Sequence, residues 1–120
     1  MSAKKATNNI SPEILANYNR LVETIPAVER KGATVPYTSL NGNMFSFLNS
    51  EGRLGLRLPE TARENFLTKY KTALCVEYGT VMKEYVAVPA DLLNNTEELK
   101  EYFLISYEYV KTLKPKPTKK

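Results

Sequence analysis

The sequence predicts an α+β fold. The expected form is a single antiparallel β-sheet of about five strands, two hairpins plus an edge strand. N-terminal and C-terminal helices pack against it, and a short helix lies between strands three and four. Three observations predict it. Residues 53–58 alternate Leu54, Leu56 and Leu58 with Arg53, Gly55 and Arg57, the period of a strand with one covered face. Apolar residues at helical spacing run from Ile14 to Ile25 and from Leu99 to Leu113, one stripe before the strands and one after. Turn sequences at Asn41-Gly42, Asn49-Ser50-Glu51-Gly52 and Gly79-Thr80 separate short apolar runs.

Taken in order, residues 1–10 are polar and read as a disordered N-terminal arm. Ser11-Pro12-Glu13 opens a helix with a capping hydroxyl, a first-turn proline and an acid at the positive end of the dipole. Ile14, Tyr18, Leu21, Val22 and Ile25 form its stripe, with Asn17, Asn19, Arg20 and Glu23 between them, and Pro26 ends or kinks it. Residues 34–39 read as a first strand, which Pro36 confines to an edge or a bulge because it cannot donate to a ladder. Asn41-Gly42 makes the next strand, Met44–Leu48, antiparallel to it, with Phe45 and Phe47 expected on one face.

After the leucine strand, Pro59-Glu60-Thr61 begins a helix to about Tyr70, with Ala62 and Phe66 on its apolar side. Leu74–Tyr78 and Val81–Val88 read as a second hairpin, stopped by Pro89. Asn95 or Thr96 caps the last helix, whose stripe is Leu99, Tyr102, Phe103, Ser106, Tyr109, Val110 and Leu113. The domain thus spans residues 11–113, and residues 114–120 form a basic tail that reads as disordered.

Composition narrows the chemistry. There is no histidine, so neither a Ser-His nor a Cys-His pair exists, nor a histidine metal site. The one cysteine, Cys75, falls beside Leu74 and Val76 in a strand and reads as a small core residue. No cofactor motif is present, no catalytic residue is indicated, and the expectation is a protein that is not an enzyme. Neither end resembles a secretion signal and no apolar run reaches membrane-span length, so the expected location is the cytoplasm.

The net charge of +4 is carried by the ends. Lys4, Lys5 and the four tail lysines account for six cations, leaving 11 basic against 13 acidic side chains and a body of about −2. A body of that sign does not draw a phosphate backbone by long-range attraction. The tail alone could touch acidic partners or nucleic acid.

Met44-Phe45, the run Glu51-Gly52-Arg53-Leu54-Gly55-Leu56-Arg57-Leu58, the helix from Pro59 to Phe66 and the strand from Val81 to Pro89 carry a family resemblance. Over residues 32–110 the chain resembles the N-terminal domain of TfoX/Sxy-type competence regulators. The family's Met-Phe-Gly-Gly signature would fall near residues 34–37, which here read Thr-Val-Pro-Tyr. No second, helical domain follows in this sequence. The resemblance implies a bacterial regulatory α+β domain with helices on an antiparallel sheet, and it implies no catalytic residue.

Four residues stand out as binding candidates. Arg53 and Arg57 share a strand face with Gly55 between them, an arrangement that suits a carboxylate or phosphate. The same arginines equally suit a solvated face with cross-strand partners such as Glu77 or Glu84. Tyr85 lies in the second hairpin, and Tyr107 is expected to face away from the main stripe of the last helix. Three functions follow as expectations: a small non-catalytic regulatory or protein-interaction module, binding another protein or itself as a homodimer; a nucleic-acid-associated accessory protein using the basic tail; and a small anionic-ligand binder using Arg53 and Arg57.

Overall fold

The computed structural model describes residues 10–32, 36–49, 51–77 and 79–113. The arm up to residue 9, the first part of the expected first strand, Ser50, Tyr78 and the basic tail lie outside the described residues. The elements run α1 (Pro12–Val22), β1 (Tyr37–Leu40), β2 (Asn43–Leu48), β3 (Leu54–Arg57), α2 (Glu60–Tyr70), β4 (Leu74–Glu77), β5 (Thr80–Val88), α3 (Ala90–Leu93) and α4 (Thr96–Lys111). The five strands form one antiparallel sheet in the order β1-β2-β3-β5-β4. This is the α+β architecture expected from the sequence, with α2 between the third and fourth strands.

Local chemistry explains most boundaries. Ser11 caps α1, its hydroxyl accepting from the Ile14 amide at 3.1 Å, and Pro12 occupies the first turn. The helix stops at Val22, four residues short of Pro26, while Ile25 stays buried beyond its end. Asn41 and Gly42 both adopt positive φ, 54° and 82°, the geometry that a tight hairpin between β1 and β2 requires. Asn95 caps α4 through the Glu98 amide, and Leu92-Leu93 form the buried side of the single turn α3, which the sequence reading did not anticipate.

One sheet face carries the core. Leu54 and Leu56 of β3 pair with Val88 and Val86 of β5 and, on the other side, with Leu48 and Ser46 of β2. Antiparallel partners project to the same side, so these residues share one face with Leu58. Tyr18, Leu21, Phe66, Leu99 and Phe103 of the helices bury against them. Leucine burial is essentially complete at 54, 56 and 58, as their alternation predicts.

Phe45 and Phe47 do not share a face. Thr38 pairs with Ser46 and Ser39 with Met44, so Phe45 is an extra residue in β2 without a partner in β1. The bulge turns Phe45 into the helical core, its ring 5.5 Å from that of Phe103. Phe47 pairs with Gly55 and so lies on the opposite face. Two side chains secure the carbonyls at this irregularity. The Ser106 hydroxyl donates to Phe45 O at 3.2 Å, and the Tyr85 hydroxyl donates to Met44 O at 2.7 Å.

Candidate functional site

The sheet face turned away from the helices collects Phe47, Gly55, Arg57, Cys75, Tyr85 and Ala87, by the pairings Phe47–Gly55, Gly55–Ala87 and Arg57–Tyr85. Its centre is filled by the chain itself. The Phe47 ring stands directly over Gly55, in the space that the sequence left open for a ligand, and packs 5.7 Å from the Tyr85 ring.

Arg53 and Arg57 are therefore separated rather than joined into one cleft. They lie at opposite ends of β3, about 13 Å apart along the strand at 3.3 Å per residue, with the Phe47 ring between. Arg57 is fully engaged. Its Nε donates to Glu84 Oε1 at 2.7 Å, and its guanidinium carbon lies 5.7 Å from the Tyr85 ring and 5.9 Å from the Tyr109 ring. Tyr109 closes the cluster by donating to Glu84 Oε2 at 2.9 Å. Glu84 is thus the cross-strand partner anticipated for Arg57. Burial alone would raise the Glu84 carboxyl, but the bonds from Arg57 and Tyr109 outweigh it and hold the group below its ordinary value. The Tyr109 phenol is pushed up by burial and by its bond to Glu84.

Arg53 has no ion pair among the described residues. It lines two clefts. The larger, about 710 Å³, lies between the start of α1, the β2–β3 turn and the end of α2, and adds Lys71, Glu13 and Glu51 to its rim. The smaller, about 420 Å³, is bounded by Phe47, Cys75, Val76 and Ala87, with Glu51, Glu77 and Asn49 at its polar end. Glu77 is held there by the Asn49 amide at 3.0 Å, so the other anticipated acid pairs with an asparagine and not with an arginine. Cys75 is buried in this wall, and burial, reinforced by the Glu77 charge, pushes its thiol up to about 12. It is a protonated packing residue at neutral pH.

Tyr85 is half-buried and belongs to the face just described, with its phenol raised by burial. Tyr107 corrects the sequence reading. It does not face away from the apolar stripe: its ring lies 5.9 Å from Phe45 and packs on the core, with the Lys111 ammonium 5.3 Å from its centre. Helical spacing explains the difference: Tyr107 lies four residues after Phe103 and three before Val110, on the edge of the buried stripe.

The sequence reading also missed the exposed apolar residues. Val76 and Val81 are cross-strand partners on the β4–β5 hairpin and are 58% and 50% exposed. The β-branched run around Gly79 signalled the strands but not that both valines point outward. Among the described residues, no helix is long and apolar enough to cross a membrane, and no cluster of acids and Cys75 could hold a metal ion. Compared with known proteins, the chain matches no family model, no curated protein and no solved structure.

Proposed function

We propose that this protein is a small non-catalytic interaction module that binds another protein through the helix-free sheet face and the adjoining β4–β5 hairpin. The observation that carries this reading is the Val76–Val81 pair, two large apolar side chains mostly in solvent beside the cleft walled by Phe47 and Cys75. The half-buried Tyr85 on this face is of a type enriched where proteins meet. The chain's lack of histidine and its protonated Cys75 fit a role without covalent chemistry. The regulatory role implied by the resemblance to TfoX/Sxy-type domains is compatible with such a module.

The test is recovery of binding proteins with the full chain and with a Val76→Asp/Val81→Lys variant, followed by hydrogen exchange on the purified pair. The reading expects a partner that protects the β4 and β5 amides and is lost with the double substitution. A partner retained by that variant would overturn it.

A second reading rests on Arg53, an exposed cation without an ion pair among the described residues, shared by two clefts. It makes the protein a binder of a small carboxylate or phosphate. Chemical-shift titration with inorganic phosphate and with acetate tests it, and unmoved resonances around Arg53 and Lys71 at millimolar ligand would remove it.

A further inference from the structure

The outer face of α4 carries a row of three residues spaced by seven: Glu97, Leu104 and Lys111. At 100° per residue, positions seven apart fall within about 20° of one another, so the three lie on one line along the helix. The line is open. Leu104 is 47% exposed, Ile105 on the adjoining flank is 37% exposed, and Glu97 and Lys111 project into solvent. The order of the row is acid, leucine, base.

That order is complementary to its own reverse. Turned end to end about Leu104, a second copy of the helix sets its Lys111 against Glu97 and its Glu97 against Lys111, with leucine on leucine between them. A parallel copy would set acid on acid and base on base. Lys100 and Glu108 lie four residues either side of Leu104, about 40° off the row on opposite flanks, so neither adds a pair to it. Both already belong to helix pairs, Lys100 with Glu97 at 3.0 Å and Lys111 with Glu108 at 3.6 Å, so the four charges are held near the line. The two exposed apolar side chains of α4 are then the two nearest the symmetry axis.

We propose that α4 joins a second copy of this chain, antiparallel, about a two-fold axis at Leu104. A two-fold interface uses one surface twice, and this row meets that requirement by its charge order. On the flank, Glu101 and Glu108 approach the partner's acids, so the association is modest and its register rests on the central row. The surface is separate from Val76, Val81 and the helix-free sheet face, and it borrows nothing from the reading made for them.

The test uses three purified full-length proteins at low salt: the wild type, Glu97→Lys and Lys111→Glu. Sedimentation velocity over a wide concentration range reads the dimer. The wild type should dimerise with concentration and dissociate as salt rises. Each single variant places like charges at both ends of the row and should weaken dimerisation about tenfold or more. An equimolar mixture of the two restores opposite charges at both ends and should recover the dimer, which also shows that both variants are folded. A wild type that stays monomeric throughout, variants that dimerise like the wild type, or a mixture that stays apart while the wild type associates would each overturn the proposal. Loss of the sheet-face partner through Val76→Asp/Val81→Lys is read independently, so either surface can fail alone.

Discussion

Phe47 occupies the space that Gly55 leaves: a methyl group built on Gly55 would lie 2.4 Å from the Phe47 ring and 2.9 Å from Cys75 Sγ. No real contact tolerates such distances, so the glycine is there to seat the ring. Gly55→Ala should expel Phe47 from its place and loosen its packing on Tyr85, at a cost of about 1–3 kcal/mol by the usual scale of overpacking. Chemical denaturation measures it. The combination Gly55→Ala/Phe47→Leu should be less destabilised than the sum of its parts, because the smaller side chain can move aside.

Arg53, just before β3, and Arg57, its last residue, should respond differently to removal. Arg57 is 18% exposed and anchors Glu84 between two tyrosine rings, whereas Arg53 stands in solvent. Arg57→Ala should lower the unfolding midpoint, and Arg53→Ala should leave it within about 0.5 kcal/mol of the wild type.

The same cluster sets an acid limb. Glu84 is held below its ordinary value near 4.5 in the folded chain, so its contribution is fully present above that value. The contribution is lost as pH falls through the depressed folded value, because the unfolded chain takes up the proton first. Glu84→Gln should therefore be less stable than the wild type at pH 7, with the gap narrowing below about pH 4.5. A gap that is independent of pH would show that packing, and not charge, links Glu84 to Arg57.

The bulge gives a further prediction. Ser106 is buried on α4 and donates to the carbonyl of Phe45, which lacks a partner in β1. Ser106→Ala removes that buried side-chain bond and should cost about 1 kcal/mol. Exchange of the β2 amides should rise with it, since the helix would no longer pin the irregular residue.

These residues also show how far the sequence could be read. Alternation at Leu54–Leu58, the Ser11-Pro12 start and the Asn41-Gly42 turn each place an element by a local rule, and the fold class follows from them. The bulge has no such signature: Met44–Leu48 reads as a regular strand, and only its pairing with β1 makes Phe45 the extra residue. Tyr107 is different: its spacing of four from Phe103 and three from Val110 already puts it beside the buried stripe. Asn17, polar and between stripe residues, is buried because Asn94 and Arg20 satisfy its amide at 2.7 Å each, a contact across 77 residues in the first case. Lys71 ends α2 in the left-handed region at φ 52°, where a glycine would have announced the stop. For the site, residue type nominated Arg57 and Tyr85, but the ring that separates Arg57 from Arg53 is set by the cross-strand register of Phe47 and Gly55.

A chain of three buried hydroxyls links α1 to the sheet and supplies the last prediction. Tyr18 and Ser46 share a hydrogen bond of 2.6 Å, and Ser46 and Thr38 share one of 2.5 Å. Burial pushes the Tyr18 phenol up to about 12, against the smaller opposing effect of its hydroxyl neighbours. A group raised in the folded state contributes stability below its unfolded value, here near 10, and that contribution disappears as pH climbs through the folded value. Ultraviolet titration should show Tyr18 ionising late or only with unfolding, and the absorbance step at the alkaline transition should shrink in Tyr18→Phe. At neutral pH the same variant leaves Ser46 short of a partner in the core and should lose about 1–3 kcal/mol. An unchanged unfolding midpoint in Tyr18→Phe would mean that the hydroxyl chain does not tie the first helix to the sheet.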